Sequence, residues 1–287
     1  MHINAISCGQ GGPSLFLIVM AGEKLFPVDV VITADTGWEN DMLWNTGQRT
    51  TAKEFFEQVT NPLAKSYGID AYFVRSKDEV GGDYLPIPES ITYKQTLAGG
   101  EMYKSPMYGI DIPLFGSNGG RLKQTCTSKW KIQAIRQQLR KLGATTARSA
   151  LGLHSSEAHR VKESFVKWDL SCWPLLDLQQ KNEGGVADMG IGRVYGRADI
   201  ETELNKRGIP YLVTTECDGC PHKDWARWKR TSPETIEQLS QFEAQFGGEF
   251  FLTSYRKPLK EALQMMETDN DKGQSLFDIC DSGYCFV

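Results

Sequence analysis

Two clusters of residues in this chain have the types and spacing for chemistry. The first is Ser7-Cys8-Gly9-Gln10-Gly11-Gly12-Pro13-Ser14, which interrupts an apolar run that begins at Ile3. Glycine at 9, 11 and 12 lets the backbone take positive φ and turn consecutive N–H groups toward an anion, and a following helix adds its positive N-terminal end. Pro13 suits a first helical turn, and Ser14 offers a hydroxyl to a phosphate. An ordinary glycine-rich connection between strand and helix is the competing reading. The spacing matches neither GxGxxG nor GxxxxGKS/T, so neither a Rossmann dinucleotide site nor a Walker A loop is indicated.

The second cluster is Cys217-Asp218-Gly219-Cys220-Pro221-His222, followed by Trp225, Trp228 and the basic residues Lys223, Arg227, Lys229 and Arg230. A CxxC with glycine inside turns both sulfurs toward one point. Thioredoxin-type redox chemistry would want that pair near the start of the fold, opening a helix after a strand, and a four-cysteine zinc site usually wants a second CxxC. Cys126, at the N-terminal edge of a helix expected over Ser128 to Leu142, is a further candidate; the helix dipole and nearby cations there favour a thiolate. Cys126, Cys217 and Cys220 with a fourth ligand are compatible with an iron–sulfur cluster, and spacing also allows zinc. Cys280 and Cys285 can close a metal shell, supply a nucleophile or be tail thiols.

These groups have to be positioned by elements, and the chain reads as alternating strands and helices. Strands are expected at Ile3–Ser7, Val28–Ala34 and Ile69–Arg75, and a helix over Thr51–Tyr67 carries Phe55, Val59 and Leu63 and is closed by Gly68. Val28–Ala34 ends in Asp35-Thr36-Gly37-Trp38-Glu39, where Asp35 or Thr36 can cap a helix or touch a ligand. Residues 76–120 lose periodicity and read as an insertion or lid. Ser149–Leu153 and Val166–Leu178 are further strand-like runs, His154–Arg160 opens a helix with Ser155 or Ser156 as cap, and Ala198–Lys206 is helical. This pattern predicts an α/β fold with a doubly wound, mainly parallel sheet over residues 1–180 and a helical, cysteine-containing region over 181–287.

Composition narrows the class. With 287 residues and 40% hydrophobic content the chain can bury a sizeable core. A net charge of -4 gives no global attraction to nucleic acid, so a polyanion must be met by a local basic patch. No apolar run reaches membrane-spanning length, and the N-terminus lacks the cationic region of a signal peptide. A cytoplasmic location is expected. The 7 cysteines, an odd number, then argue for thiols or metal ligands over a disulfide framework.

The sequence resembles the phosphoadenosine phosphosulfate (PAPS) reductase-like branch of the adenine nucleotide alpha-hydrolase, or PP-loop, superfamily, in its compact bacterial and phage form. The resemblance is carried by Ser7 to Ser14, by Ala34-Asp35-Thr36-Gly37-Trp38-Glu39, by Cys126-Thr127 with Lys131 and Ile135, and by Cys217-Asp218-Gly219-Cys220-Pro221. Gly152 with Glu157-Ala158-His159-Arg160, Trp173 to Leu178, and the terminal cysteines support it. Against the usual SGGxDS, Pro13 stands where an acidic or amide residue is common and Gln10 where glycine is common. The terminal cysteines also differ from the ECGLH tail of assimilatory sulfonucleotide reductases.

The resemblance implies a Rossmann-like (HUP-type) PP-loop domain that binds ATP, or PAPS or its adenylyl analogue APS, with magnesium. Ser7, Gly9, Gly11, Gly12 and Ser14 would meet phosphates, and Asp35 and Thr36 would lie near the adenosine or phosphates. Lys131 and Cys285 are its candidate catalytic residues. Cys126, Cys217, Cys220, Cys280 and Cys285 are its candidate ligands for a cluster, 4Fe-4S or alternatively zinc. The implied reaction is ATP pyrophosphatase chemistry: adenylation of a substrate for sulfur transfer, with nucleic acid as a candidate acceptor and a sulfur donor or thiol reductase as partner. Sulfonucleotide reduction and a non-catalytic nucleotide-sensing or nucleic-acid-binding module are the alternatives, and a homodimer is compatible with all three.

Overall fold

A computed structural model describes residues 1–77, 85–91, 110–180 and 189–271. The central sheet is built from β1 (His2–Ser7), β2 (Val30–Asp35), β3 (Asp70–Arg75), β4 (Thr146–Leu151), β5 (Asp169–Trp173) and β6 (Leu178–Gln179). Its order is β3-β2-β1-β4-β5-β6, parallel throughout except for β6, which returns antiparallel to β5 through the turn at Pro174–Leu176. The order reverses direction between β1 and β4. In open α/β sheets, the crevice outside the carboxyl ends at that reversal is where ligands bind.

The expected fold class is therefore present, and the sheet is covered on both faces. Helix α1 (Gly12–Gly22) is buried all round, from Leu15 through Ala21. A helix with no polar stripe needs cover on two sides. β1 and Ala150 of β4 supply one side, and the other comes from Ile200 and Leu204 of α5 (Arg197–Lys206), a helix far along the chain. The opposite face is covered by α4 (Gln133–Lys141), whose Ile135 and Leu139 pack on Ile3, Ala5, Val30 and Ile32. A separate apolar cluster joins Trp38, Ile87, Ile112, Leu114 and Trp130 to Trp228, Leu239 and Phe250. Trp228 is thus core, and Trp225 packs against the same cluster.

Local detail departs from the sequence reading in instructive places. The expected single helix over Thr51–Tyr67 is α2 (Ala52–Phe55), a π-helical stretch at Phe56–Thr60, and α3 (Asn61–Ser66). Pro62 lacks an N–H and its ring collides with the preceding turn, so the helix widens there instead of breaking. Its start is a capping box, with Thr51 Oγ1 accepting from Glu54 N at 3.1 Å and Thr51 N donating to Glu54 Oε2 at 2.9 Å. The helix after Cys126 likewise opens as a π-helix, Thr127–Ile132. His154 and not Ser155 or Ser156 precedes a 3-10 turn, Ser155–Arg160, that carries no side-chain cap. Most of the stretch read as an insertion or lid lies outside the described residues, although residues 85–91 and 110–120 are described.

Candidate functional site: a basic cleft beside a thiol cavity

The glycine bend opens onto a cleft of about 240 Å³ at the carboxyl edge of β1, β2 and β4. Ser7, Gly9, Gly11, Gly12 and Ser14 all line it, so the structure brings together the residues singled out for phosphates. Two features hold the bend open. Gly152, just past β4, packs so closely that a Cβ there would lie 2.8 Å from Ser14 N. Gln10 takes φ +63 and turns its amide inward, donating from Nε2 to Ala52 O at 3.0 Å and accepting from Thr60 Oγ1 at 3.3 Å. The Gln10 amide is thus held in the interior, and the residue is buried although it also lines the cleft.

The cleft is lined by cations. Lys131, Arg160, Arg197, Arg227 and Arg230 reach it from four separate segments, and α1 presents its N-terminus. Lys131 Nζ donates to Glu39 Oε1 at 3.1 Å, Arg160 pairs with Glu157, and Arg197 Nε pairs with Glu201 at 2.7 Å. His154 is held by Ser156 Oγ at 3.0 Å on Nδ1 and lies 3.3 Å from Glu157 through Nε2; burial lowers its pKa and favours the neutral ring. Cys8 lies under the bend, and burial pushes its thiol up to about 11, which marks it as a small apolar filler.

Asp35 and Thr36 sit at the end of β2 but not in the cleft lining, which is formed there by Thr33 and Ala34. Asp35 accepts from Gly37 N at 2.7 Å and from Arg75 Nη2 at 2.5 Å, closing the turn and tying β2 to β3. Thr36 is fully buried, accepts from Trp38 N at 3.2 Å and lies 3.5 Å from Cys217 Sγ. Neither residue caps a helix.

Behind Lys131 is a second, smaller cavity of about 30 Å³, lined by Cys126, Cys217, Cys220 and His222. It shares Thr127, Lys131 and Glu216 with the larger cleft. Cys217 Sγ donates to Glu39 Oε1 at 3.8 Å. The expected thiolate at Cys126 is corrected here: burial outweighs the nearby Lys131 charge and pushes that thiol up to about 11, and burial raises Cys217 as well. The cavity has room for a water or two. Among the described residues no three His, Cys, Asp or Glu side chains converge as metal ligands, so the expected cluster or zinc finds no assembled site there. Cys280 and Cys285 lie outside the described residues.

Glu216 and Arg197 are cleft residues that the sequence reading passed over, whereas Arg227 and Arg230, named there among the basic residues after the CxxC, do line the cleft. Glu216 directly precedes the CxxC, and that adjacency was the only local signal; Arg197 sits at the start of an ordinary helix.

No protein-family model matches the chain, and no curated protein sequence matches it. Among solved structures it is similar to phosphoadenylyl-sulfate (PAPS) reductase from Candida auris, crystallised as a phosphate complex. The identity is 11% and the TM-score 0.38, over 73% of this chain and 74% of that one.

Proposed function

We propose that this protein is a nucleotide-dependent enzyme that binds ATP in the basic cleft and activates a substrate by adenylation. In this reading a substrate oxygen attacks the α-phosphorus, pyrophosphate leaves, and a sulfur donor then displaces AMP. One observation carries it. The glycine bend, the N-terminus of α1 and the Ser14 hydroxyl face a cleft at the sheet's reversal point that is lined by Lys131 and four arginines. Backbone N–H groups and fixed cations around one concavity suit a polyphosphate, and they would act by positioning and charge neutralisation more than by proton transfer. The choice of adenine rests on the motif resemblance. The cluster is left out of the reading, because the described thiols do not assemble its ligands.

Incubation with radiolabelled ATP and a panel of candidate acceptors, tRNA and DNA included, tests the proposal. Pyrophosphate and AMP are the expected products; ADP with inorganic phosphate, or tight binding without turnover, would overturn it.

A second reading is favoured by the thiol cavity opening beside Lys131. In a sulfonucleotide reductase, a cysteine thiolate attacks the sulfur of PAPS and the nucleotide leaves with the S–O electron pair. A second thiol then releases sulfite and closes a disulfide, which an external dithiol reduces. Sulfite release from PAPS with dithiothreitol, without pyrophosphate formation from ATP, is the result that selects it.

A further inference from the structure

A hydroxyl, an imidazole and a carboxylate follow one another on a single turn just past β4. His154 is 7% exposed and lines the cleft. Its Nδ1 lies 3.0 Å from Ser156 Oγ, and its Nε2 lies 3.3 Å from Glu157 Oε2. The other oxygen of Glu157 takes Arg160, so the carboxylate is anchored. Glu157 N donates to His154 O at 2.8 Å and closes the turn, while Ser155 N donates to Tyr195 O at 3.0 Å and ties it to the segment before α5. Ser156 is exposed, so its hydroxyl is open to a reagent.

The chemistry of the three groups sets their roles. A carboxylate only accepts, so the imidazole proton sits on Nε2, facing Glu157, and Nδ1 is left to accept from the Ser156 hydroxyl. Burial keeps the ring neutral and therefore able to take a proton. Hydroxyl, base and orienting acid in this order are what activates a serine. Arg160 and Arg197 line the same wall, and fixed cations there suit a phosphorus centre, whose oxygens carry charge through the transition state. A local bond that merely satisfies a buried ring nitrogen is the competing reading.

We infer that Ser156 is a nucleophile, with His154 as its base and Glu157 as the residue that positions the base, and that it takes the adenylyl group of ATP before passing it to an acceptor hydroxyl. The donor rests on the nucleotide reading of the cleft. Ser156 Oγ bonds to the α-phosphorus, the bond to the bridging oxygen breaks, pyrophosphate leaves with that electron pair, and the serine proton goes to His154 Nδ1. Glu157 stabilises the imidazolium. The acceptor hydroxyl then attacks the same phosphorus, Ser156 Oγ leaves and recovers a proton from His154, and the acceptor's proton takes its place on the ring.

An alkyl fluorophosphonate, a phosphorus electrophile that needs no nucleotide site, probes the serine in the full chain, and ATP probes the transfer; peptide mass spectrometry reads both. The fluorophosphonate is expected to mark Ser156, at a rate that rises with pH as the ring loses its proton and then levels. The charged groups acting on that ring are Glu157, Arg197, Arg160 and Glu201. Glu157→Gln removes an anion that holds the proton, so the midpoint of the rate profile should move to lower pH, a shift that a merely structural role would not give. His154→Asn should slow labelling about 100-fold. ATP without acceptor should release pyrophosphate and leave one adenylyl group on Ser156, and Ser156→Ala should carry none; circular dichroism checks that the variants fold. A fluorophosphonate that passes over Ser156, or a His154→Asn protein labelled at the wild-type rate, overturns the nucleophile. ATP that binds in calorimetry yet leaves Ser156 unmodified overturns the transfer. No ATP binding, with fluorophosphonate labelling intact, overturns the nucleotide reading instead and leaves the serine a nucleophile.

Discussion

Lys131 Nζ lies 3.1 Å from Glu39 Oε1, and this pair stands where the basic cleft meets the thiol cavity. Both side chains are largely buried, at 20% and 10% exposure, so neither charge is well solvated alone. A phosphate arriving in the cleft would share the ammonium with Glu39. Under the proposed nucleotide reading, Lys131 would serve the fold without ligand and the ligand once bound.

Lys131→Met separates those duties. ATP affinity should fall about 10- to 100-fold, the worth of a charge-assisted hydrogen bond, read by titration calorimetry. Stability should also fall, by roughly 1–3 kcal/mol in urea unfolding, because Glu39 is left buried without its cation. Adding Glu39→Gln should restore most of the stability and none of the affinity. Restoration of both would assign Lys131 to the fold alone.

Gln10 gives a sharper test of the bend. It holds φ +63 and makes two buried hydrogen bonds, to Ala52 O and from Thr60 Oγ1. Gln10→Gly loses the bonds but relaxes the left-handed backbone, whereas Gln10→Ala loses the bonds and keeps the strain. The alanine variant should be less stable than the glycine variant by about 1 kcal/mol in chemical denaturation. Equal midpoints would mean that the backbone adjusts.

How much of this was legible in the sequence follows from how local each signal is. Ser7 to Ser14 was readable as a bend because glycine, proline and serine act on their own backbone, and β1, β2 and β3 showed as short apolar runs between turn residues. Asp35 was not readable: its partner Arg75 comes from the next strand, and only the parallel register that pairs the two decides whether the carboxylate faces a ligand or a guanidinium. Gln10 looked like a defect in the motif until α2 and its π-helical continuation supplied amide partners. Glu216 was invisible as a cleft residue because the bridge between Leu212 and Gly11 sets its direction, across two hundred residues of chain. Cys126 was misread electrostatically, since burial depends on Trp38, Ile87 and Ile112, which surround it in three dimensions only.

Gly152 couples the second half of the sheet to the bend. A Cβ at 152 would lie 2.8 Å from Pro13 C and 3.1 Å from Ser14 Cα, and backbone atoms at the start of α1 have little freedom to yield. Gly152→Ala should lower stability by about 1–3 kcal/mol and move the N–H groups that the proposed phosphate would meet. ATP affinity should drop further than the loss of folded protein explains, when titration is corrected for the folded fraction measured by circular dichroism. An affinity loss that vanishes after this correction would show that the bend tolerates the shift.

Glu243 supplies the pH dependence. Its carboxylate accepts from Leu252 N at 2.7 Å and Leu259 N at 2.6 Å, yet burial dominates and raises its pKa above the ordinary glutamate value. A folded-state pKa above the unfolded one means that the native chain holds the proton longer. The associated stability is present below the ordinary value near 4.5 and is lost as pH rises through the higher folded value. Glu243→Gln removes the titration. Urea unfolding across mildly acidic pH should show the wild type losing stability relative to the variant as pH rises through that window, and parallel curves for the two proteins would place the raised pKa elsewhere.

Thiol reactivity distinguishes the two cysteine environments. Cys8 and Cys172 are buried, at 4% and 0% exposure, and burial raises both thiols, Cys8 to about 11 and Cys172 beyond the ordinary range. Cys126 is raised to a similar level as Cys8 but is partly exposed beside the cleft. Since the thiolate is the reactive form, all three react slowly at neutral pH, and access then sets their order. Pulse alkylation with iodoacetamide, read by peptide mass spectrometry, should label Cys126 well before Cys8 and Cys172. Raising the pH toward 9 should speed Cys126 roughly in proportion to hydroxide, because the pulse stays below its folded pKa. Saturating ATP should slow labelling of Cys126, since the nucleotide would fill the cleft that shares Thr127 and Lys131 with the thiol cavity. Labelling of Cys126 that ignores ATP would mean that the two cavities communicate with solvent separately, and the thiol reading of the site would lose its support.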